Sequence, residues 1–183
     1  SQRQEPTISE LIEPFGAPHQ HVRRLGTSFD PAEVLSLQGD REVGRQLFVA
    51  GVGECAKCHR VAGASTNALA SEIGPELTRV QEKWKTREAL LTQIIHPSLE
   101  IDPAYRSLTV VDTDGKILAG RVLARDDRWL TLRDAQGKDL QLAISEIDSE
   151  RFSPISTMPE QVLAPLTTQQ AANLLEFLMT AAQ

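Results

Sequence analysis

The sequence predicts a mainly α fold into which a small antiparallel β-module is inserted. Apolar residues recur at helical spacing over 41–50, 86–96 and 168–181, whereas between residues 105 and 148 their period falls to two. The chain of 183 residues is long enough for one good-sized core, or for a small domain carrying an inserted one. Only 4% of its residues are aromatic, so side chains alone supply few bulky core pieces. A net charge of -6 opposes a nucleic-acid partner. No run approaches the roughly 18 apolar residues of a membrane span.

Residues 1–38 contain Pro6, Pro14, Pro18 and Pro31, and beyond Ile8, Leu11 and Ile12 define no apolar face. They read as an extension or linker, with His19 and His21 as surface histidines. Asp40 is the expected N-cap of a helix over 41–50 that presents Val43, Leu47 and Phe48 on one face. Gly44 inside that helix costs about 1 kcal/mol relative to alanine. A glycine four residues before an aromatic therefore suggests that another helix crosses closely there.

Cys55-Ala56-Lys57-Cys58-His59 follows directly. Two cysteines at this spacing can each form a thioether to a vinyl group of one haem, and a histidine directly after the second is then placed as an axial iron ligand. The motif uses both cysteines of the chain. A redox disulfide expects a βαβ context and gives no reason for His59. A structural zinc site expects a second ligand pair, for which His19 and His21 are a poor match. After a small-residue loop over 62–71 comes Ile73-Gly74-Pro75-Glu76-Leu77-Thr78, where a carbonyl beside Pro75 is free to accept a bond from His59 Nδ1 and orient the ring.

Thr86 caps the next expected helix, which carries Leu90, Leu91, Ile94 and Ile95 and ends at His96 before Pro97. His96 reads as a helix-end or surface residue. Strands are expected at 107–111, 117–123, 129–132 and 140–144, separated by Asp114-Gly115, Asp126-Asp127 and Gln136-Gly137. They form a meander of four or five strands, a small curled barrel ending near Asp148. Thr167 and Gln170 read as a capping box for the last helix, whose Ala171, Leu174, Leu175, Leu178 and Ala182 share the face that meets Gly44 and Phe48.

Taken in order, Gly44 and Phe48, Cys-x-x-Cys-His, Gly74-Pro75 with Leu77, a loop Met158-Pro159 and a C-terminal Leu-Leu-Glu-Phe-Leu helix resemble a class I cytochrome c. More narrowly the chain resembles the planctomycete-type putative haem-binding domain. Residues 55–61, 73–80 and 94–101, Thr113-Asp114-Gly115, Gly120-Arg121-Val122 and Ser156-Thr157-Met158-Pro159 echo its pattern. That resemblance spans about residues 39–181. It implies a class I cytochrome c fold with a first part at 39–104, an inserted β-module at 105–150 and a second part at 151–183. It also implies one haem c attached at Cys55 and Cys58, with His59 and Met158 as the iron ligands and Pro75 beside the cofactor. The chain departs from the pattern at His96, where an acidic residue is expected, and this brings a second histidine into consideration.

Met158 also stands out on its own, in a proline-bounded loop, whereas Met179 lies in an apolar helical run where methionine usually fills core space. Iron closed on both faces by His and Met passes single electrons and has no site for substrate. The expected role is electron transfer and not enzymatic, with a redox partner protein or a fused parent enzyme, at the periplasm or outer face of the bacterial inner membrane. A gas-binding or sensor haem with a labile or absent sixth ligand is the rival. Over 54–88, Lys57, Arg60, Arg79, Lys83, Lys85 and Arg87 stand against Glu54, Glu72, Glu76, Glu82 and Glu88, which makes no basic patch. Trp84 and the nearby arginines are candidates for the haem propionates, with ordinary packing the plainer role for Trp84. The β-module is a third candidate for the working surface, by analogy with other small barrels, and its edge strands leave room for a homodimer.

Overall fold

The computed structural model describes residues 23–64 and 73–182. His19, His21, the apolar residues Ile8, Leu11 and Ile12, and most of the small-residue loop after the motif lie outside them. Five α-helices are described: α1 (Pro31–Leu35), α2 (Arg41–Val49), α3 (Val80–Lys83), α4 (Arg87–Ile95) and α5 (Thr168–Thr180). Between α4 and α5 run β1 (Ser107–Asp112), β2 (Ile117–Arg125), β3 (Trp129–Arg133), β4 (Asp139–Ala143) and β5 (Ile147–Phe152).

The mainly α expectation is therefore corrected to a mixed α/β fold, 32% helical and 20% strand among the described residues. Two features shift the balance. Most helices are short, α1 having 5 residues and α3 only 4. The sheet also gains a full fifth strand, β5, where the apolar alternation has ended and the sequence reads Ile-Asp-Ser-Glu-Arg-Phe.

The helical part is organised by the crossing of α2 and α5. Asp40 accepts from Val43 N at 3.0 Å to start α2, and Thr167 and Gln170 close a capping box at the start of α5. At the crossing a Cβ on Gly44 would lie 2.6 Å from the Asn173 carbonyl carbon and 2.8 Å from Phe177 Cβ. The absence of that atom lets the backbones touch, and Phe48 then stacks obliquely on Phe177 with ring centroids 5.6 Å apart. The close crossing read from Gly44 is thus present. Val43, expected on the same face, is 40% exposed, because contact this close admits only Gly44 and Phe48 fully, with Leu47 half-buried.

Residues 23–38 belong to this core, although their sequence reads as part of an extension. Leu25 N donates to Leu166 O at 2.8 Å and Gly26 N to Ala164 O at 3.1 Å. Asp30 caps α1, and Leu25 and Val34 are buried with Phe48, Leu166 and Leu174. Isolated apolar residues between prolines show no periodicity, so their burial depends on partners more than a hundred residues away.

The sheet is antiparallel throughout, in the order β4-β3-β2-β1-β5. Leu108, Val110, Leu130, Leu132 and Leu142 form its own core. They alternate with less buried residues, as the period of two requires. Irregularities at Val111/Asp112 and Val122/Ala124 bend the sheet. Its ladder does not close into a barrel: β4 and β5 are its two edges. Among the described residues no helix is long and apolar enough to cross a membrane.

Candidate functional site

The approach to the cysteines is set by backbone that few residues tolerate. Gly51 and Gly53 have φ of 75° and 77°, and Glu54 has φ of 61°. This turn folds the chain back on the end of α2 and delivers Cys55–Lys57 as a single 3-10 turn. A Cβ on Gly53 would meet Val162 O at 3.1 Å and a Leu166 methyl at 3.3 Å, so the cysteine turn lies directly against the segment preceding α5.

His59 is held from the other side. Gly74 N donates to Cys58 O at 2.9 Å, Leu77 N donates to Arg60 O at 2.8 Å, and Ala62 N donates to Thr78 Oγ1 at 2.8 Å. Thr78 Oγ1 in turn donates a hydrogen bond to Glu76 Oε1 at 2.7 Å. The strap over 74–78 is thereby laid along 58–62. Gly74 faces the imidazole so closely that a Cβ there would sit 2.8 Å from His59 Cε1 and 2.9 Å from Nδ1. His59 Nδ1 lies 2.7 Å from Pro75 O. The sequence pointed to a carbonyl near Pro75, and the acceptor is Pro75's own.

A carbonyl only accepts, so Nδ1 carries the proton and Nε2 keeps its lone pair. Burial pushes the His59 pKa below the usual imidazole range, partly opposed by the bond to Pro75. The ring is thus a neutral, oriented ligand. Burial raises the Cys55 thiol to about 11, and burial raises Cys58 too, against the opposing effect of Lys57. Reactive redox pairs have depressed thiols, so this pair has the opposite character. Among the described residues no three His, Cys, Asp or Glu side chains converge as a metal cage. Two separate thiols and one oriented imidazole are the donors that a covalently attached haem would require. Leu77, Trp84, Ile94, Ile95 and Val162 are half-buried around the same core as Cys55.

The structure brings together Cys55, Cys58, His59 and Pro75. Met158 is half-buried in the loop that leaves β5, anchored separately: its N–H donates to Ser156 Oγ at 3.1 Å, and Ser156 N donates to Ser98 Oγ at 3.0 Å. Met179 is half-buried against the helical core, and His96 is the exposed C-cap of α4. Lys57 pairs with Glu54, Arg79 with Glu82, Lys83 with Glu100 and Arg87 with Glu176. Lys83 Nζ lies 5.0 Å from the Trp84 ring centroid. Sequence reasoning missed the serines behind Met158 and the close approach of Gly53. The Gly-x-Gly before Cys55 was the available signal for the latter. No protein-family model matches the chain, and no curated protein is significantly similar to it.

Proposed function

We propose that this chain is a monohaem c-type cytochrome domain that carries single electrons through a covalent haem ligated by His59 and Met158. The observation that carries the reading is the hydrogen bond from His59 Nδ1 to Pro75 O at 2.7 Å, directly after the two thiols, which leaves Nε2 as the donor. A haem bound there supplies a one-electron iron couple. Cys55 and Cys58 would hold that group through thioether bonds to its two vinyl substituents, each thiol adding across one double bond with no redox equivalent consumed.

His59 acts as the fixed ligand, its basicity raised by the Pro75 carbonyl. Met158 supplies a soft thioether, which favours the reduced iron more than a second imidazole does. Leu77, Ile94, Ile95 and Val162, half-buried against the same core as Cys55, would supply apolar surroundings. The resemblance to a class I cytochrome c with an inserted β-module supports the same role, with a redox partner protein or a fused parent enzyme receiving the electron. Covalent haem attachment of this kind would go with a location in the periplasm or on the outer face of the inner membrane.

The test is the optical spectrum of the haem-loaded chain, oxidised and reduced, with and without CO, beside Met158→Ala. The expected parent shows the weak far-red band of thioether-ligated ferric haem and no response to CO. The variant loses the band and binds CO. Ready CO binding by the parent, without that band, would overturn electron transfer in favour of a gas-binding haem.

A further inference from the structure

We infer that Ser98 and Ser156 form a relay that positions Met158, so that the hold on the axial sulfur is set at the end of α4; this rests on the reading of Met158 as an iron ligand. The segment from Ser153 to Met158 is ordered by serine turns. Ser153 Oγ accepts from Ile155 N at 3.0 Å and donates to Ile155 O at 2.9 Å. Ser156 Oγ accepts from Met158 N at 3.1 Å. Bonds this local fix the shape of the loop but not its place in the molecule.

Its place comes from the bond between Ser156 N and Ser98 Oγ, which spans 58 residues at 3.0 Å. Ser98 is a firm anchor. Pro97 is buried, Leu99 N donates to His96 O at 3.0 Å, and the Gln93 side-chain amide donates to Pro97 O at 3.2 Å and Glu100 O at 3.1 Å. The turn after α4 is thereby clamped from within its own helix. On the far side of Met158, Val162 and Leu166 lie against Gly53, two residues before Cys55.

Met158 thus lies between two fixed points, Ser98 on one side and the cysteine turn on the other. A thioether is a weak, neutral ligand that competes with added imidazole. Removing one anchoring hydrogen bond of ordinary strength loosens the loop and shifts that competition by about fivefold. Ser98 is a positioning residue in this scheme, since it acts only through Ser156 and the Met158 backbone.

The experiment titrates the oxidised, haem-loaded chain with imidazole for the parent, Ser98→Ala, Ser98→Thr and Met158→Ala, and follows the far-red band in each. Ser98→Ala is expected to bind imidazole about fivefold more tightly with a weaker band, and Ser98→Thr, which keeps the hydroxyl, to return to the parent value. A Ser98→Ala protein indistinguishable from the parent, while Met158→Ala loses the band, would overturn the relay and leave Met158 as ligand. A band that survives in Met158→Ala would remove the ligand itself, and the relay with it.

Discussion

Gly44→Ala is expected to destabilise the chain by about 3 kcal/mol, the upper end of what overpacking a well-packed site costs. In an ordinary helix interior the same exchange stabilises by about 1 kcal/mol, because alanine has less backbone freedom to lose. The sign reverses here because the new methyl meets backbone. The Asn173 carbonyl carbon would be 2.6 Å away and Phe177 Cβ 2.8 Å away. Neither can turn aside as a flexible side chain could, so α2 and α5 must separate. That loosens the stack of Phe48, 0% exposed, on Phe177, 3% exposed, at the centre of the helical core. Gly137→Ala is the contrast. It has φ of 80° and nothing within 4 Å of a new Cβ, so it costs about 1–2 kcal/mol from backbone strain alone. Equilibrium unfolding in urea of both variants checks the pair. Equal losses would mean that the close crossing is not what requires glycine at 44.

Gly74→Ala is expected to act chiefly on the site rather than on stability. The new methyl would press on His59 Cε1 at 2.8 Å, on Nδ1 at 2.9 Å and on Cys58 O at 3.1 Å. A ring can rotate where a helix backbone cannot, so the imidazole gives way and the bond to Pro75 is lost. The cost of that bond is about 1 kcal/mol in stability. Iron ligation suffers more, because the ring loses both its orientation and the acceptor that fixes the proton on Nδ1. In the haem-loaded protein the expected result is a shifted Soret band and a reduction potential displaced from the parent's. An unchanged spectrum and potential would show that His59 does not depend on this cradle.

Local chemistry was legible in the sequence, and long-range placement was legible only where one residue type forces it. Asp40, Thr86 and Thr167 marked the starts of α2, α4 and α5 because a capping side chain acts within three residues. Gly44 with Phe48 marked the helix crossing because bare backbone inside a helix has few other uses. The period of two found β1 to β4 but failed at β5, an edge strand whose residues after Ile147 are all exposed and carry no alternation. Leu25 and Val34 escaped because their burial depends on Leu166 and α5, far along the chain. At the site, spacing singled out Cys55, Cys58 and His59 as candidates, whereas the hydrogen-bond partner of His59 was narrowed to the Pro75 region and no further. The tie from Ser156 to Ser98 left no sequence signal, since serines are common in turns and nothing local distinguishes an anchor.

The central claim is that Cys55 and Cys58 hold a haem by thioether bonds. Its most direct test is the intact mass, under denaturing conditions, of the chain produced in a bacterium that carries c-type haem maturation machinery, beside the Cys55→Ala/Cys58→Ala double variant. The expected parent mass is that of the polypeptide plus one complete haem, retained through denaturation, with the double variant at its bare polypeptide mass. A parent chain without added haem, or one lighter by two hydrogens through a Cys55–Cys58 disulfide, would contradict the claim.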